Sequence, residues 1–473
     1  MKNKDMTDIS QLKPFKAIHL PEDTEITSEL IESLIDYNES VRVPRYEILR
    51  EYYLGQTPIM ERQREETQSN NKVTHDFAGY ITDILTGIFI GKPVKYTVSR
   101  ELKESMDKIQ SNFNHNDEQD ENHELAKMAS KLGVAYELVY SNEEGYIKFN
   151  EIDPANLVYV WDDKINPEPL FALYYRTEID PLDLESEDGD RIVTIYGREE
   201  NLYFRESDGT FILENEEMNL FDGKVQVVEF GNNEEYLGDY EKVISLIDAY
   251  NKTRSDTTND FEEFTDAFLV LAGMQQTDAE DLRQMKINKT ILLDAEGGQG
   301  ASWLIKDINH SALEGHLERL EADIHKFAKV PNLSDENFAG NSSGVAMAYK
   351  LMAMRQVIAA KERKFKKGLQ DRLELVVTGE KAKAQVGQDF TYRDIDIVFT
   401  INIPINIKEN VEMVNILSGL VSQETWLSEL YCIDNPNAEM EKIENETNAY
   451  DIRDEMTKLE LEEVGQVETK EGD

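Results

Sequence analysis

Cysteine is almost absent: the 473 residues include one, Cys432. No intrachain disulfide can form, a reducing compartment is expected, and the thiol reads as a small buried apolar group. Positive charge is also scarce, with 50 Lys and Arg against 95 Asp and Glu, a formal net charge of −45. Self-repulsion on that scale argues against a free, compact monomer that grips DNA, and attraction to phosphate is not the overall design. No apolar run approaches the roughly 18 residues a membrane span requires; Ile81 to Ile90 is short and carries Asp83. The leading MKNKDMTDISQLKPF has no apolar core, so no secretory signal is expected and synthesis in the cytoplasm is.

The usual catalytic constellations are missing as well. No GxxxxGK[ST] loop occurs, and the Gly-rich DAEGGQGAS has neither the lysine nor the following helix that would seat phosphates. HExxH and paired CxxC motifs are absent, and a single Cys excludes a thiolate zinc site. His115 and His123, with Asp117 or Asp120, read as a solvated polar turn between helices rather than a metal site. Asp394 and Asp396 alternate on an expected strand without a partnering lysine or histidine, which leaves a nuclease carboxylate pair unsupported. The expectation is a protein without enzyme activity, metal or cofactor.

What is present is mixed helix and strand, an α+β chain with more than one substructure. Residues 1 to 27 are polar and expected to be loose. From Ser28 to about Leu132 the signals are helical; Val73, Phe77, Ile81, Ile84 and Ile88 recur at three or four residues, one core-facing stripe that Gly91 and Pro93 end. Between Tyr136 and Phe230 the period changes to short β-branched and aromatic runs (YELVY, YIKFN, LVYVW, LFALYYRT, RIVTIY, LYFRE, TFIL, VQVVEF) separated by turn clusters, a predicted antiparallel meander.

Helix returns from Gly238 to Gly273. Its ends are apolar, but Asn251 to Asp260 is almost wholly polar, which predicts cover from something other than a monomeric core. TILL and SWLIK flank DAEGGQGA and predict a hairpin. Leu313, Leu317, Leu320, Ile324 and Phe327 mark a second amphipathic helix, stopped by Pro331. PNLSDENFAGNSSG is a loop by composition. From Gly344 to about Val377 a long helix is predicted, striped by Leu351, Met354, Ile358, Phe365, Leu369, Leu373 and Val376. FTYRDIDIVFTINIP reads as a strand-like return and residues 408 to 450 as helical. The last stretch, Glu439 to Asp473, holds thirteen acidic and four basic residues, a tail expected to be helical at first and then disordered.

Lys350 to Arg372 is the one strongly cationic segment, with eight Lys or Arg against Glu362 and Asp371. Two roles stay open for it: a face that is solvated or offsets acidic neighbours in an oligomer, or a patch that meets nucleic acid.

Four stretches, in order, carry a family likeness: NNKVTHDFAGYITDILTGIFIGKPV; EFGNNEEYLGDYEKVISLIDAYNKTRSDTTNDFEEF; NFAGNSSGVAMAYKLMAMR; and IPINIKENVEMVNILSGLVSQETWLSEL followed by DNPNAEMEKIENE. Together they resemble the portal proteins of tailed bacteriophages, specifically the portal family of long-tailed (siphovirus) phages of Gram-positive hosts. The likeness spans about residues 30 to 450.

The resemblance implies a portal fold with helical stem and crown, β-rich wing and small α/β clip, assembled as a ring with a central channel. It implies a wing at 28–240 (helical 28–135, β-rich 136–240), stem helices at 241–272 and 311–328, a clip at 273–310 and a tunnel loop at 329–343. A long channel helix at 344–378, wing strands at 379–407, a crown at 408–450 and an acidic tail at 451–473 complete it. Asp335, Glu336, Asn337, Phe338, Gly340, Asn341, Ser342, Ser343 and Gly344 would form the loop at the DNA channel. Lys350, Arg355 and Lys361 would be channel or inter-subunit cations, and Asp294, Glu296, Gln299 and Trp303 the clip's docking surface. The implied partners are other copies in a ring, commonly of twelve, double-stranded DNA without sequence preference, the terminase large subunit, a head-completion or adaptor protein, and the major capsid and scaffolding proteins. A metal-dependent DNA-processing nuclease and a minor head protein without a channel are the rival assignments.

Overall fold

A computed structural model describes residues 6–8, 12–13, 16–65, 68–178, 189–264, 268–272, 280, 283, 300–304, 310–333, 349–402, 407–428, 430, 433, 436, 439–440 and 442–446. The chain divides into two compact units, one of residues 1–86, 99–332 and 353–394, the other of 87–98, 333–352 and 395–473.

All eight predicted runs between Tyr136 and Phe230 are strands, but they belong to two sheets rather than one meander. Strands β3 (Val134–Ser141), β4 (Ile147–Ile152) and β10 (Val227–Gly231) form an antiparallel sheet in the order β10-β3-β4. Strands β5 (Leu157–Asp162), β6 (Pro169–Thr177), β7 (Arg191–Gly197), β8 (Glu200–Ser207) and β9 (Thr210–Met218) form the other in sequence order, so each pairs antiparallel with the next. A sixth strand, β1 (Ile18–Leu20), joins its β5 edge in parallel, Ile18 opposite Val160. These three residues fall inside the segment expected to be loose. Their alternation is too short to stand out in sequence, and the β5 edge supplies the backbone partners.

Helix α1 (Ser28–Tyr37) starts where the Thr27 side chain accepts a hydrogen bond from the Leu30 amide, a standard N-cap. Its Ile31, Leu34 and Ile35 share one face and pack on Val158, Val160, Phe171, Leu173, Val193 and Ile195 of the larger sheet. The smaller sheet is covered by helix α5 (Glu118–Leu132), ended by Gly133 at φ +90°, where a Cβ would lie 2.0 Å from the Tyr236 carbonyl. That conformation and that contact both require glycine.

The long helix lies at Met352–Ala382, and all seven residues of its predicted stripe are buried. It approaches the smaller sheet closely at Gly368, where a Cβ would sit 2.5 Å from the Phe230 ring.

Four expectations need correction. The helix with the polar middle ends at Phe264, and Phe268–Ala272 is a strand paired with Gly300–Leu304. The SWL run therefore pairs with 268–272; TILL lies outside the described residues. The helix Phe77–Phe89 buries Ala78, Ile81, Leu85 and Phe89, whereas Phe77, Ile84 and Ile88 are only half-buried, so its core stripe is rotated from the predicted one. In the helix His310–Ala328, Leu317, Leu320 and Ile324 are buried as expected, but Phe327 is 54% exposed. Finally, Asp394 is in a turn and accepts from the Thr391 amide and hydroxyl at 2.7 and 2.9 Å, so it does not alternate with Asp396 on a strand.

In the second unit, Asp396–Val398 pairs antiparallel with Lys95–Thr97, and helices occupy Ile407–Leu417 and Gln423–Ser428. No described helix is long and apolar enough to cross a membrane.

Candidate functional site

The cationic segment of the long helix is largely consumed within its own chain. Lys361, expected at a channel or subunit boundary, is 4% exposed. Its Nζ lies 2.5 Å from Asp239 Oδ2 and 2.6 Å from Asn232 Oδ1, and also reaches the Ser130 hydroxyl. Lys364 pairs with Glu234, and Lys367 Nζ sits 5.5 Å from the centroid of the Trp161 ring. A buried ammonium needs such partners, because an unpaired one would neutralise or unfold its surroundings. This corrects the expectation for Lys361. Arg355 and Lys350 are exposed.

Arg372 is completely buried and gives Glu137 two hydrogen bonds, at 2.7 and 2.6 Å. It also donates to Asn122 at 2.6 Å, and its guanidinium covers the Phe149 and Phe230 rings at 4.6 and 5.3 Å. Burial pushes the Glu137 carboxyl up, and Arg372 opposes that shift. The fork geometry of the pair and the flanking rings are what only arginine offers.

Glu121, next to Asn122 in the chain, is pushed up to about 7, first by burial and then by the Glu137 and Glu151 carboxylates. A carboxyl raised in the folded state binds protons that the unfolded chain has already released, so its contribution is fullest below about 4.5 and is lost as pH rises toward 7. E121Q is expected to flatten that loss: urea midpoints at pH 5 and pH 8 should differ less for the variant than for the parent, and an equal difference refutes the assignment.

One face of the polar middle of helix α6 (Ile244–Phe264) is covered within its own chain, while Arg254 and Thr258 on the opposite side are exposed. Asn251 and Ser255 are 0% exposed and Asn259 is 2% exposed. These residues accept backbone amides from an extended strap: His75 to Asn251 at 3.0 Å, Val73 to Ser255 Oγ at 2.9 Å and Asn71 to Asn259 at 2.7 Å. Arg62 and Arg64 both reach Asp256, at 2.7 and 2.6 Å. For the face of Asn251, Ser255 and Asn259, the expectation of cover from outside the chain is overturned by residues 62, 64, 71, 73 and 75 of the same chain. The missed signal is the four-residue spacing of Asn251, Ser255 and Asn259, small acceptors on one helical face. Lower on the same helix, the buried Asp248 accepts from Tyr52 and from the Thr7 amide, and burial raises its carboxyl.

The tunnel-loop residues, Asp335 to Gly344, lie outside the described residues, as do Asp294, Glu296 and Gln299. Trp303 is described only through its backbone, opposite Leu269 in the strand pair.

Compared with known proteins, residues 32–452 match the family described as "Phage portal protein, SPP1 Gp6-like". The chain belongs to the phage portal protein family. The portal protein of Bacillus phage SPP1 is 24% identical over 431 residues, covering 84% of this chain and 83% of that relative. In this portal protein the two helices that bracket the Phe268–Leu304 region pack on each other, and the long helix is tied to the β-rich part by Arg372 and Lys361.

Proposed function

We propose that the chain closes into a ring, commonly of twelve copies, at one vertex of a phage capsid, and that double-stranded DNA enters and leaves through the central channel. The family match along residues 32–452 carries this proposal. In it, residues 241–272 and 311–328 are the stem, residues 273–310 the clip, and residues 329–343 the tunnel loop. The ring nucleates procapsid assembly in the host cytoplasm with major capsid and scaffolding proteins. Its clip docks the terminase large subunit and later a head-completion or adaptor protein, with Asp294, Glu296, Gln299 and Trp303 as the contact surface.

The charge balance supports a channel through which DNA slides. A cationic sleeve would bind a duplex through many released counterions and hold it. Here the net charge of −45 works against such a grip. The burial of Lys361 against Asp239 and of Arg372 against Glu137 would keep part of the cationic segment out of a lumen. Asn337, Asn341, Ser342 and Ser343 would offer neutral hydrogen bonding, and Gly340 and Gly344 would let the loop shift.

Negative-stain imaging and native mass measurement of the purified full chain test the proposal. Closed rings with a central hole are expected, and no cutting of linear duplex with added Mg²⁺. A compact single chain, or one that degrades DNA, would overturn it in favour of the minor head protein or the nuclease.

A further inference from the structure

Two cavities of about 440 and 510 Å³ in the first unit share Tyr159, Trp161, Asn166, Pro167, Lys367 and Asp371, so they are two lobes of one cleft. It lies between β5, β10 and the long helix. One wall is aromatic: the Tyr159 and Trp161 rings meet edge to face at 5.3 Å, and Tyr136 stacks on Tyr159 at 5.6 Å. Another wall is the open edge of β10. Val139 donates to the Gln226 carbonyl and Asn232 to that of Gly133, both at 2.9 Å. Alternate residues of β10 therefore pair with β3, while Val227, Glu229 and Gly231 turn their backbone groups away from it. Tyr159 donates to the Val227 carbonyl at 3.0 Å, and Glu229 and Gly231 line the first lobe.

The charged side chains of the cleft divide into matched and open ones. Lys364 pairs with Glu234, Lys224 with Glu374 at 3.5 Å, and Arg198 with Asp162 and Glu22 at 3.1 and 2.8 Å. Glu229 accepts only from hydroxyls, Tyr236 at 2.7 Å and Tyr136 at 3.4 Å, and burial pushes its carboxyl up. Asp371 lines both lobes; among the described residues it accepts no hydrogen bond and joins no ion pair. Burial pushes it up to about 6, against the pull of Lys367. The open cations, Lys367 and Arg393, are exposed at the rim, over the Trp161 and Tyr392 rings at 5.5 and 5.6 Å. Two rings of the cleft thus already hold a cation on their faces.

An occupant must bring positive charge to Asp371 and Glu229, donors to the outward carbonyls of β10, and an apolar stem for the rings. An anion would face two carboxyls that lack a counter-charge. A bare metal ion would gain nothing from the rings, and no group of three ligating side chains gathers here among the described residues. An ammonium on an alkyl stem meets every requirement, and Lys367 is that same chemistry supplied by the chain itself. The two-lobed shape suits a linear molecule with more than one ammonium.

We infer that this cleft binds a linear aliphatic diamine or polyamine, one ammonium at Glu229 and the edge of β10, a second at Asp371, and the alkyl stem on the Tyr159 and Trp161 rings. The Lys367 ammonium yields the Trp161 face to the guest. The inference concerns a single chain and stands whether or not rings form.

The test is calorimetric titration of the full chain with diaminobutane and with spermidine, at about 0.15 M salt, because a net charge of −45 gathers amines loosely over the whole surface and salt screens that term. One saturable site per chain is expected. Asp371→Asn, an isosteric change at a half-buried position, should weaken it about tenfold through loss of a charge-assisted bond. Lys367→Met, at an exposed position, should tighten it about threefold by removing the competing ammonium. Glu32→Gln, an exposed carboxylate on helix α1, should leave it unchanged. Urea midpoints confirm that each variant is folded, and should Asp371→Asn lower the midpoint, the Lys367→Met gain decides. Absence of a saturable site, equal losses in Asp371→Asn and Glu32→Gln, or weaker binding in Lys367→Met would each overturn the site. Binding of a lysine-rich peptide but of neither free amine would overturn it in favour of a protein contact.

Discussion

Replacing Arg372 by methionine is expected to destabilise the first unit by about 3–5 kcal/mol, the cost of leaving a buried charge without its partner. The side chains of Arg372 and Glu137 are both 0% exposed. With the guanidinium gone, Glu137 would have to bind a proton or draw in water, and Asn122 and Glu118 would lose a shared donor. The urea midpoint should fall by on the order of 1 M or more. The double variant R372M/E137M should recover most of the loss, because an apolar pair of similar volume carries no desolvation cost. If the single variant unfolds at the parent's midpoint, the buried pair does not hold the long helix to the smaller sheet. If the double variant is as weak as the single, shape rather than charge is responsible.

The strands, the long helix and the family were legible in the sequence, and the reasons differ. Runs such as LFALYYRT and RIVTIY carry β-branched and aromatic residues in short segments, a local signal that survives whatever the partner strand is. The stripe from Leu351 to Val376 persists over many turns, so its buried face could be read directly. Pairing was not legible. A period of two says that a strand exists but not which edge it meets, so β3, β4 and β10 could not be separated from the other strands, nor Ile18–Leu20 recognised as an edge strand.

The larger failure concerned polar residues. A helix whose middle is Asn, Ser, Thr and Asp looks solvated or covered by other subunits when only apolar burial is weighed. Asn251, Ser255 and Asn259 are instead buried against backbone amides of residues 71, 73 and 75, a partner lacking any sequence signature because amides belong to every residue. The same blindness applies to Lys361 and Arg372: charge in sequence reads as surface until its buried acceptors, Asp239 and Glu137, are seen. Of the candidate site, the three cationic residues and the backbone of Trp303 fall among the described residues, and one of the three cations belongs to the interior.

That division sets up the second large effect. Lys361→Met should cost about 3 kcal/mol, because Asp239, 4% exposed at its side chain, would keep Asn232 and Ser130 but lose its counter-charge. Asp239→Asn in the same chain should restore part of the loss, since a neutral amide tolerates burial beside the same partners. Arg355→Ala, on the exposed face of the same helix, should change stability by no more than about 0.5 kcal/mol. Comparing urea midpoints of the purified chains with DNA retained in particles separates the two roles. A Lys361 variant with a parental midpoint but altered DNA retention would return that lysine to the channel, whereas a lowered midpoint rescued by Asp239→Asn places its work inside the fold. Arg355, like the exposed Arg363, would then be a cation of this helix placed to act on DNA or a neighbouring subunit, and its variant should show the opposite pattern: full stability with a change confined to assembly or packaging.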